Sequence, residues 1–175
     1  MPVRPIKFRY GVRVLLLAGT EVLLINDSDP GVPTSSWWVV PGGGIDDGEP
    51  ALEAACREVA EETGFELTSS QLVGPVGGGV AVHGYSDRIR VQQDVFYRAV
   101  VPRFVPDLSG WTPWERQRMK GAAWHRLDHL PDALWPNRLP ELVAAIPGCP
   151  TDLGTREEST VPLTDAEWQR VRGDG

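Results

Sequence analysis

A glycine-rich segment that runs directly into a helix constrains this chain more than any other feature. Residues 41–65 read PGGGIDDGEPALEAACREVAEETGF. The composition from Glu49 to Thr63, rich in Ala, Leu, Glu and Arg, predicts a helix. Pro50 suits the first turn of that helix, where its missing N–H costs no hydrogen bond, and Gly64 suits its end. The sequence therefore predicts a glycine loop that leads into the N-terminal end of one helix.

The predicted helix has an apolar side and an acidic side. At about 100° per residue, the stripe that can face a core contains Leu52, Ala55, Cys56, Val59 and Thr63. A neighbouring stripe contains three glutamates at spacing i, i+3 and i+4, namely Glu58, Glu61 and Glu62. A divalent cation would relieve their mutual repulsion, because Mg2+ and Mn2+ prefer oxygen ligands. The alternative is an acidic helix face that is exposed to solvent and binds nothing.

The spacing of glycines and charged residues in this stretch resembles the Nudix box, the signature of hydrolases that act on nucleoside diphosphates linked to another group. Five residues separate Gly43 from Glu49, and seven more separate Glu49 from the run REVAEETGF, which ends at Phe65. Every fixed position of the pattern is filled between Gly43 and Phe65. By this resemblance the chain is identified as a member of the Nudix hydrolase family.

The resemblance implies a metal site and an ion pair that supports it. The family's metal ligands correspond to Glu58, Glu61, Glu62 and the carbonyl group of Gly42. Arg57 and Glu49 match a pair that orients the helix and the loop through a salt bridge. The implied cofactor is Mg2+, with Mn2+ as an alternative.

The implied reaction is Mg2+-dependent hydrolysis of a P–O–P bond, in which water attacks one phosphorus atom. The general base is open between two places. In some family members it is a glutamate of the box helix, for which Glu58 is the leading candidate. In others it is a glutamate on a loop before a late strand, and Glu115 precedes the predicted strand Gly121–Leu127. An ordinary exposed carboxylate is the alternative for Glu115.

The predicted elements on either side of the box are mainly strands. Before it we expect strands at Val12–Ala18, Glu21–Ile25 and Trp37–Val40. After it we expect an irregular strand in Leu72–Val82, strands at Ile89–Val101 and Gly121–Leu127, and a helix at Leu139–Ile146. This order predicts an α/β fold with a mixed sheet between helices. The resemblance sharpens it to a Nudix-type α/β/α sandwich with a central mixed β-sheet.

The length of 175 residues and an apolar content of 41% fit one globular domain with a sizeable core. We assign residues 1–149 to the Nudix hydrolase domain and residues 150–175 to a polar C-terminal tail. Within this tail, the capping-box pattern Thr164–Glu167 predicts a short helix.

The net charge of −7 argues against broad binding to nucleic acid or to a membrane surface, both of which favour a basic field. No apolar run is long enough to cross a bilayer, and the N-terminus lacks the pattern of a signal peptide. Two cysteines are too few for a disulfide framework, so a cytoplasmic location is expected. The expected partner is a small nucleotide substrate. Neither nucleic acid nor a membrane is expected, and a homodimer is left open.

Aromatic and basic residues outside the box are candidates for contacts with the substrate. Trp37 and Trp38 are candidates for stacking on a base, although burial in the core is the commoner role of a tryptophan in a strand. Arginine outnumbers lysine 15 to 2, and its planar fork binds phosphate in bidentate fashion. The candidates for phosphate contacts are Arg88, Arg90, Arg98 and Arg116, each with solvated surface charge as its alternative.

Two other functions stay open at this point. A catalytically inactive Nudix-like module can sense a nucleotide and regulate transcription, but such proteins have a damaged box and an attached DNA-binding domain. Here the box is complete, and no second domain is expected within these 175 residues. The acidic helix could instead serve as a surface for a protein partner. The sequence does not define which nucleotide is the substrate.

Overall fold

The computed structural model describes residues 3–173, within which the chain forms nine strands, four α-helices and one short 3₁₀-helix at Ser69–Gln71. The strands are β1 (Ile6–Ala18), β2 (Glu21–Asp27), β3 (Trp37–Val39), β4 (Gly42–Gly44), β5 (Val73–Gly84), β6 (Ile89–Val100), β7 (Gly121–Arg126), β8 (Leu134–Trp135) and β9 (Thr151–Glu157). The helices are α1 (Ala51–Thr63), α2 (Pro113–Arg118), α3 (Leu139–Ala144) and α4 (Asp165–Arg172). None of these helices has the length and hydropathy that a membrane span requires.

All nine strands belong to one mixed sheet, whose main path runs in the order β8-β3-β2-β1-β6-β5-β9. At its centre β1 and β6 run parallel, in register from Ile6 opposite Ile89 to Leu17 opposite Val100. The edge of β1 that faces away from β6 pairs antiparallel with two strands. The middle of β1 pairs with β4, and the end of β1 pairs with β2. β7 pairs with the free edge of β2. The predicted mixed sheet is confirmed.

The two faces of β1 are covered by different helices, because successive side chains of a strand point to opposite faces. Val12, Val14 and Leu16 pack against buried residues of α1. Leu15 and Leu17 pack against buried residues of α3 on the other face. Each such side chain contributes about 1.5–3 kcal/mol by leaving water. The result is the predicted α/β/α arrangement.

Helix α1 begins two residues later than predicted. Pro50 is its N-cap, in an extended conformation, and Glu49 remains in the preceding turn, where its carboxylate accepts a hydrogen bond from the N–H of Asp46. The helix ends at Gly64, which adopts a left-handed conformation with φ 71°, as a C-terminal glycine commonly does.

Several elements differ from the prediction. The strand expected from Val12 begins six residues earlier, and the stretch predicted as a glycine loop contains β4. The loop expected before Gly121 contains α2. The irregular strand predicted after the box is present as β5, whose pairing with β6 shifts register between Val73 and Gly77.

The C-terminal segment is more ordered than the polar tail that its composition predicts. β9 pairs in parallel with β5 and so extends the sheet. Leu153 is its only fully buried residue, and so the strand lacks the apolar pattern that marks strands in a sequence. The predicted short helix is present as α4, and Thr164 and Glu167 form its capping box.

Candidate active site

A cleft of about 220 Å³ lies where the sheet, the glycine segment and α1 meet. Its wall includes the backbone of Gly42–Gly44 and two glutamates of α1, Glu58 and Glu62. Five arginines from four different elements also line it, namely Arg9, Arg13, Arg90, Arg118 and Arg156. The cleft therefore brings carboxylates and guanidinium groups into one space.

The glycine segment approaches its neighbours too closely for side chains. A Cβ atom on Gly42 would lie 2.1 Å from the carbonyl oxygen of Val12, and Gly42 has a φ of 144° that favours glycine. A Cβ atom on Gly43 would lie 2.3 Å from Oε2 of Glu58. The glycines thus allow a carboxylate of α1 to reach the backbone of β4.

The carboxylates of Glu58 and Glu62 are buried in this cleft. Oε2 of Glu62 accepts a hydrogen bond of 2.8 Å from the N–H of Gly42. Burial, followed by the neighbouring Glu58, raises the pKa of Glu62 to about 8. Burial also raises the pKa of Glu58, although Arg57 opposes this shift. Two hard oxygen donors whose negative charges are poorly stabilised suit a divalent cation, so the residues present fit Mg2+.

Glu61 is placed differently from the other two glutamates. Its side chain is 53% exposed and its carboxylate lies 3.5 Å from Nη1 of Arg57. Within residues 3–173, no three side chains of Asp, Glu, His or Cys are close enough together to hold one ion. The carbonyl oxygen of Gly42 accepts a hydrogen bond of 3.1 Å from Arg13. The structure thus brings two of the three predicted glutamate ligands into the cleft.

Arg57 and Glu49 form an ion pair that ties the glycine segment to α1. Nε and Nη2 of Arg57 each donate to a different carboxylate oxygen of Glu49 at 2.8 Å. The same guanidinium donates to the carbonyl of Gly44 at 3.0 Å and to Glu58 at 2.8 Å. These hydrogen bonds, with one from the N–H of Asp46, lower the pKa of Glu49 to about 2. Arg57 therefore orients both the loop and a cleft glutamate.

Glu115 lies in α2 and lines the cleft. Its carboxylate accepts hydrogen bonds of 2.7 Å from both the N–H and the hydroxyl of Thr112. The N–H of Glu115 donates in turn to the hydroxyl of Thr112, which completes a capping box. The pattern Thr112-Pro113-x-Glu115 is a local signal for a helix start, and it explains why a helix replaces the predicted loop here. Glu115 thus has a structural contact in addition to its place in the cleft.

The long segment before α2 is fixed against the end of α1. The indole N–H of the buried Trp111 donates to the carbonyl of Glu62 at 2.9 Å. The N–H of Asp107 donates to the carbonyl of Thr63 at 2.9 Å. Trp114 follows this anchor and remains 45% exposed where it lines the cleft. This segment is therefore anchored to the end of α1 before it enters α2.

The two adjacent tryptophans of β3 point to opposite faces of the sheet. Trp37 lines the cleft and stacks on Trp135, with ring centroids 4.3 Å apart. Trp38 points away from the cleft and packs into the core beneath α3, edge-on to His125. The structure therefore places Trp37, but not Trp38, where it can contact a ligand in the cleft.

Of the four candidate arginines, only Arg90 lines the cleft, and Arg88, Arg98 and Arg116 lie outside it. Arg98 donates to backbone carbonyls at and after the end of α3, and Arg116 donates to carbonyls of the loop before α2. Both guanidinium groups are used to satisfy backbone oxygens, which corrects their predicted role. Arg90 lines the cleft, and Arg88 lies over the ring of Tyr85 in an adjoining hollow.

Several residues of the cleft are not among the candidates predicted from the sequence. Arg9 and Arg13 lie on one face of β1, with Gly11 between them, and their period-two spacing was an available signal. Arg118, Arg156 and Trp135 carry no comparable local pattern, because tertiary structure alone brings them to the cleft.

Comparison with known proteins identifies the family of this chain. Residues 7–146 match the model of the NUDIX domain, and the chain belongs to the Nudix hydrolase family. It is 47% identical over 55 residues to an RNA pyrophosphohydrolase of Rhizobium meliloti (strain 1021), which covers 31% of this chain and 32% of that protein. It is 41% identical over 61 residues to a putative 8-oxo-dGTP diphosphatase of Bacillus subtilis (strain 168), which covers 35% and 38%. These matches span about a third of each relative's length.

Solved structures agree on the fold. A MutT NUDIX hydrolase from Burkholderia pseudomallei superposes with a TM-score of 0.57 at 26% identity, covering 77% of this chain and 96% of the other. A MutT protein from Bacillus halodurans superposes with a TM-score of 0.55 at 19% identity, covering 87% and 91%. The second similarity concerns the fold alone.

The raised pKa of Glu62 predicts how stability depends on pH. Between about 4.5 and about 8, the unfolded chain has released the proton that the folded chain keeps on Glu62. The free energy of unfolding of the metal-free protein should therefore fall as pH rises through this window. Glu62→Gln should reduce that loss, because the amide cannot ionise. Melting temperatures in EDTA at several pH values measure this effect.

The exposed Glu53, on the same helix, provides the matched control. Glu53→Gln should keep the pH dependence of the unsubstituted protein. If Glu62→Gln melts with the same pH dependence as Glu53→Gln, the assignment of the shifted carboxylate to Glu62 is wrong.

Proposed function

We propose that this protein hydrolyses a P–O–P bond in a nucleoside diphosphate linked to another group, by Mg2+-dependent attack of water on phosphorus. The observation that carries the proposal is the cleft itself, in which buried Glu58 and Glu62 share one space with five arginines. A phosphoric anhydride has the negative charge that guanidinium groups bind. The family membership supports the same class of reaction.

The residues that would hold Mg2+ are Glu58, Glu62 and the carbonyl of Gly42, with Glu61, whose side chain is exposed and lies near Arg57, as a further ligand. When bound, Mg2+ supplies Lewis acidity, which polarises phosphoryl oxygens and makes water a better nucleophile at neutral pH. Arg57 positions Glu58 and the glycine segment through its hydrogen bonds. The glutamates of this set are thus held on one helix, against the backbone of β4.

Other side chains of the cleft would bind the nucleotide. Trp37, supported by its stack on Trp135, offers an aromatic surface for a base. Arg13 lies beside the glycine segment, where it can contact a phosphate of the reacting anhydride. The names of the two relatives make 5′-triphosphorylated RNA and 8-oxo-dGTP the first compounds to test, followed by ordinary nucleoside triphosphates and nucleotide sugars.

A hydrolysis screen over these compounds, with and without Mg2+, tests the proposal. Glu62→Gln should lower turnover by at least about 10²-fold, because loss of a metal ligand or of its support typically costs that much. Glu53→Gln, on the exposed side of α1, should keep full activity. Undiminished hydrolysis in EDTA would refute the metal role. Nucleotide binding without any hydrolysis would favour the sensing module instead.

The ion pair of Arg57 and Glu49 yields a separate prediction. Glu49 contacts Arg57 and the N–H of Asp46 but does not line the cleft. Glu49→Gln should therefore lower turnover less than Glu58→Gln and should retain Mn2+ binding in isothermal titration calorimetry. If Glu49→Gln abolishes Mn2+ binding while the protein stays folded, Glu49 is itself a ligand.

Glu115 is proposed as the general base that accepts the proton of the attacking water. Glu115→Gln should lower kcat by about 10²- to 10⁴-fold, the usual range for general-base catalysis, with little change in KM or in Mn2+ affinity. The variant is well matched, because glutamine also serves in a capping box and should preserve α2. A kcat close to that of the unsubstituted protein would return the role to a helix glutamate, Glu58 first.

A further inference from the structure

Three arginines converge on the part of the cleft formed by the open sheet. Arg9 comes from β1, Arg90 from β6 and Arg156 from β9, and all three line the cleft. Arg9 lies opposite Gln92 in the β1–β6 ladder, two residues from Arg90 on the same face. None of the three is needed to hold a metal or to support the glutamates. We refer to Arg9, Arg90 and Arg156 as the arginine triad.

The hydrogen-bonding capacity of the arginine triad is incompletely used. Arg9 donates from Nε to the side chain of Gln92, which is neutral. Within residues 3–173, Arg90 forms neither a hydrogen bond nor an ion pair through its guanidinium group. In the same part of the chain, Nη1 of Arg156 is buried without any partner. Buried donors of a charged group are rarely left unpaired, because the loss of hydration is not recovered.

In the described part of the chain, the carboxylates nearby pair with one member of the arginine triad, Arg156, and leave the charges of Arg9 and Arg90 unpaired. Asp94 and Glu158 are both paired with Arg156, at 2.9 and 2.7 Å. No carboxylate within residues 3–173 lies within ion-pair distance of Arg9 or Arg90. Burial, together with the positive charges of Arg90 and Arg13, lowers the pKa of Arg9 to about 9. This end of the cleft therefore carries excess positive charge, opposite to the net charge of the chain.

The arginine triad is adjacent to the proposed reaction centre. Nη1 of Arg9 lies 3.4 Å from the position that a Cβ atom of Gly44 would occupy, and Gly43 lies against Glu58. One ligand can therefore contact the glutamate end and the triad at the same time. Arg156 belongs to β9, beyond the segment 7–146 that matches the NUDIX domain.

We propose that Arg9, Arg90 and Nη1 of Arg156 form a subsite for a phosphate group beyond the bond that is cleaved. The subsite rests on the proposed function, and it narrows the substrate class to molecules with a 5′-triphosphate rather than a diphosphate that ends in a neutral group. Guanidinium groups bind phosphate oxygens in bidentate fashion, and because they are weakly hydrated, binding costs them little lost hydration. The triphosphate of a free nucleotide and that of an RNA end have the same chemistry at this subsite.

The first test measures anion binding without metal or hydrolysis. Inorganic tripolyphosphate is titrated in EDTA into the unsubstituted protein, Arg90→Gln and Arg156→Lys. The lysine keeps a positive charge against Asp94 and Glu158 but removes the Nη1 donor, so the fold is preserved. The control is Arg103→Gln, which removes an exposed arginine that pairs with Glu21 away from the cleft.

Arg90→Gln and Arg156→Lys should each weaken tripolyphosphate binding by about tenfold or more, as expected for the loss of a charge-assisted contact. Arg103→Gln should bind like the unsubstituted protein. Equal binding by all four proteins, or no binding by the unsubstituted protein, would overturn the subsite.

The second test measures kcat/KM for a nucleoside triphosphate, a short 5′-triphosphorylated RNA and a nucleotide sugar. The unsubstituted protein should favour one or both triphosphates, and Arg90→Gln should reduce that preference by about tenfold or more. Comparison of kcat/KM for the two triphosphates shows whether the preferred substrate is a free nucleotide or an RNA end. An active protein that prefers the nucleotide sugar, with a ratio unaffected by Arg90→Gln, would refute the subsite and leave the hydrolytic function intact. Tripolyphosphate binding that depends on these arginines, in a protein that hydrolyses none of the compounds, would support the subsite and refute the hydrolytic function.

Discussion

The contact between α1 and the glycine segment is the constraint on which the rest of the cleft depends. The carboxylate of Glu58 occupies the space that a side chain on Gly43 would need, and the carboxylate of Glu62 accepts a hydrogen bond from the N–H of Gly42. Arg57 spans the same gap from the side, through the carbonyl of Gly44. Because β4 is also paired with β1, any movement of these glycines would disturb the centre of the sheet. The positions of the glutamates are therefore set by the fold itself.

This arrangement has an energetic cost that the surrounding structure must offset. Two carboxylates are buried side by side, and their pKa values are raised because ionisation is disfavoured there. The long parallel ladder between β1 and β6 and the apolar layers on both faces of the sheet supply the compensating stability. A cation bound at the glutamates would lower this cost, and so metal binding and folding stability should be coupled.

The sequence predicted those parts of the molecule whose signal is local. The box defines α1, its cap residue Gly64 and the glutamates, and apolar runs or capping patterns locate β2, β6 and α4. The polar strand β9 has a single buried residue and leaves no such pattern. The arginines of the cleft come from distant segments whose convergence depends on strand order. Arg98 and Arg116 are predicted from their charge to contact phosphate, but tertiary structure directs both guanidinium groups to backbone carbonyls.

On one face of β1 and β6, part of each strand lines the cleft and the rest belongs to the core. On β1 that face carries Arg9, Gly11 and Arg13 and then changes to leucines, and on β6 it changes to the buried Phe96 after three polar residues. Phe96 both lines the cleft and belongs to the core beneath α3, so it marks the boundary. Helix α3 covers only the apolar half, which leaves the charged half open to a ligand. The cleft therefore lies where the charged part of this face adjoins the core, and residues of α2 line it from another element.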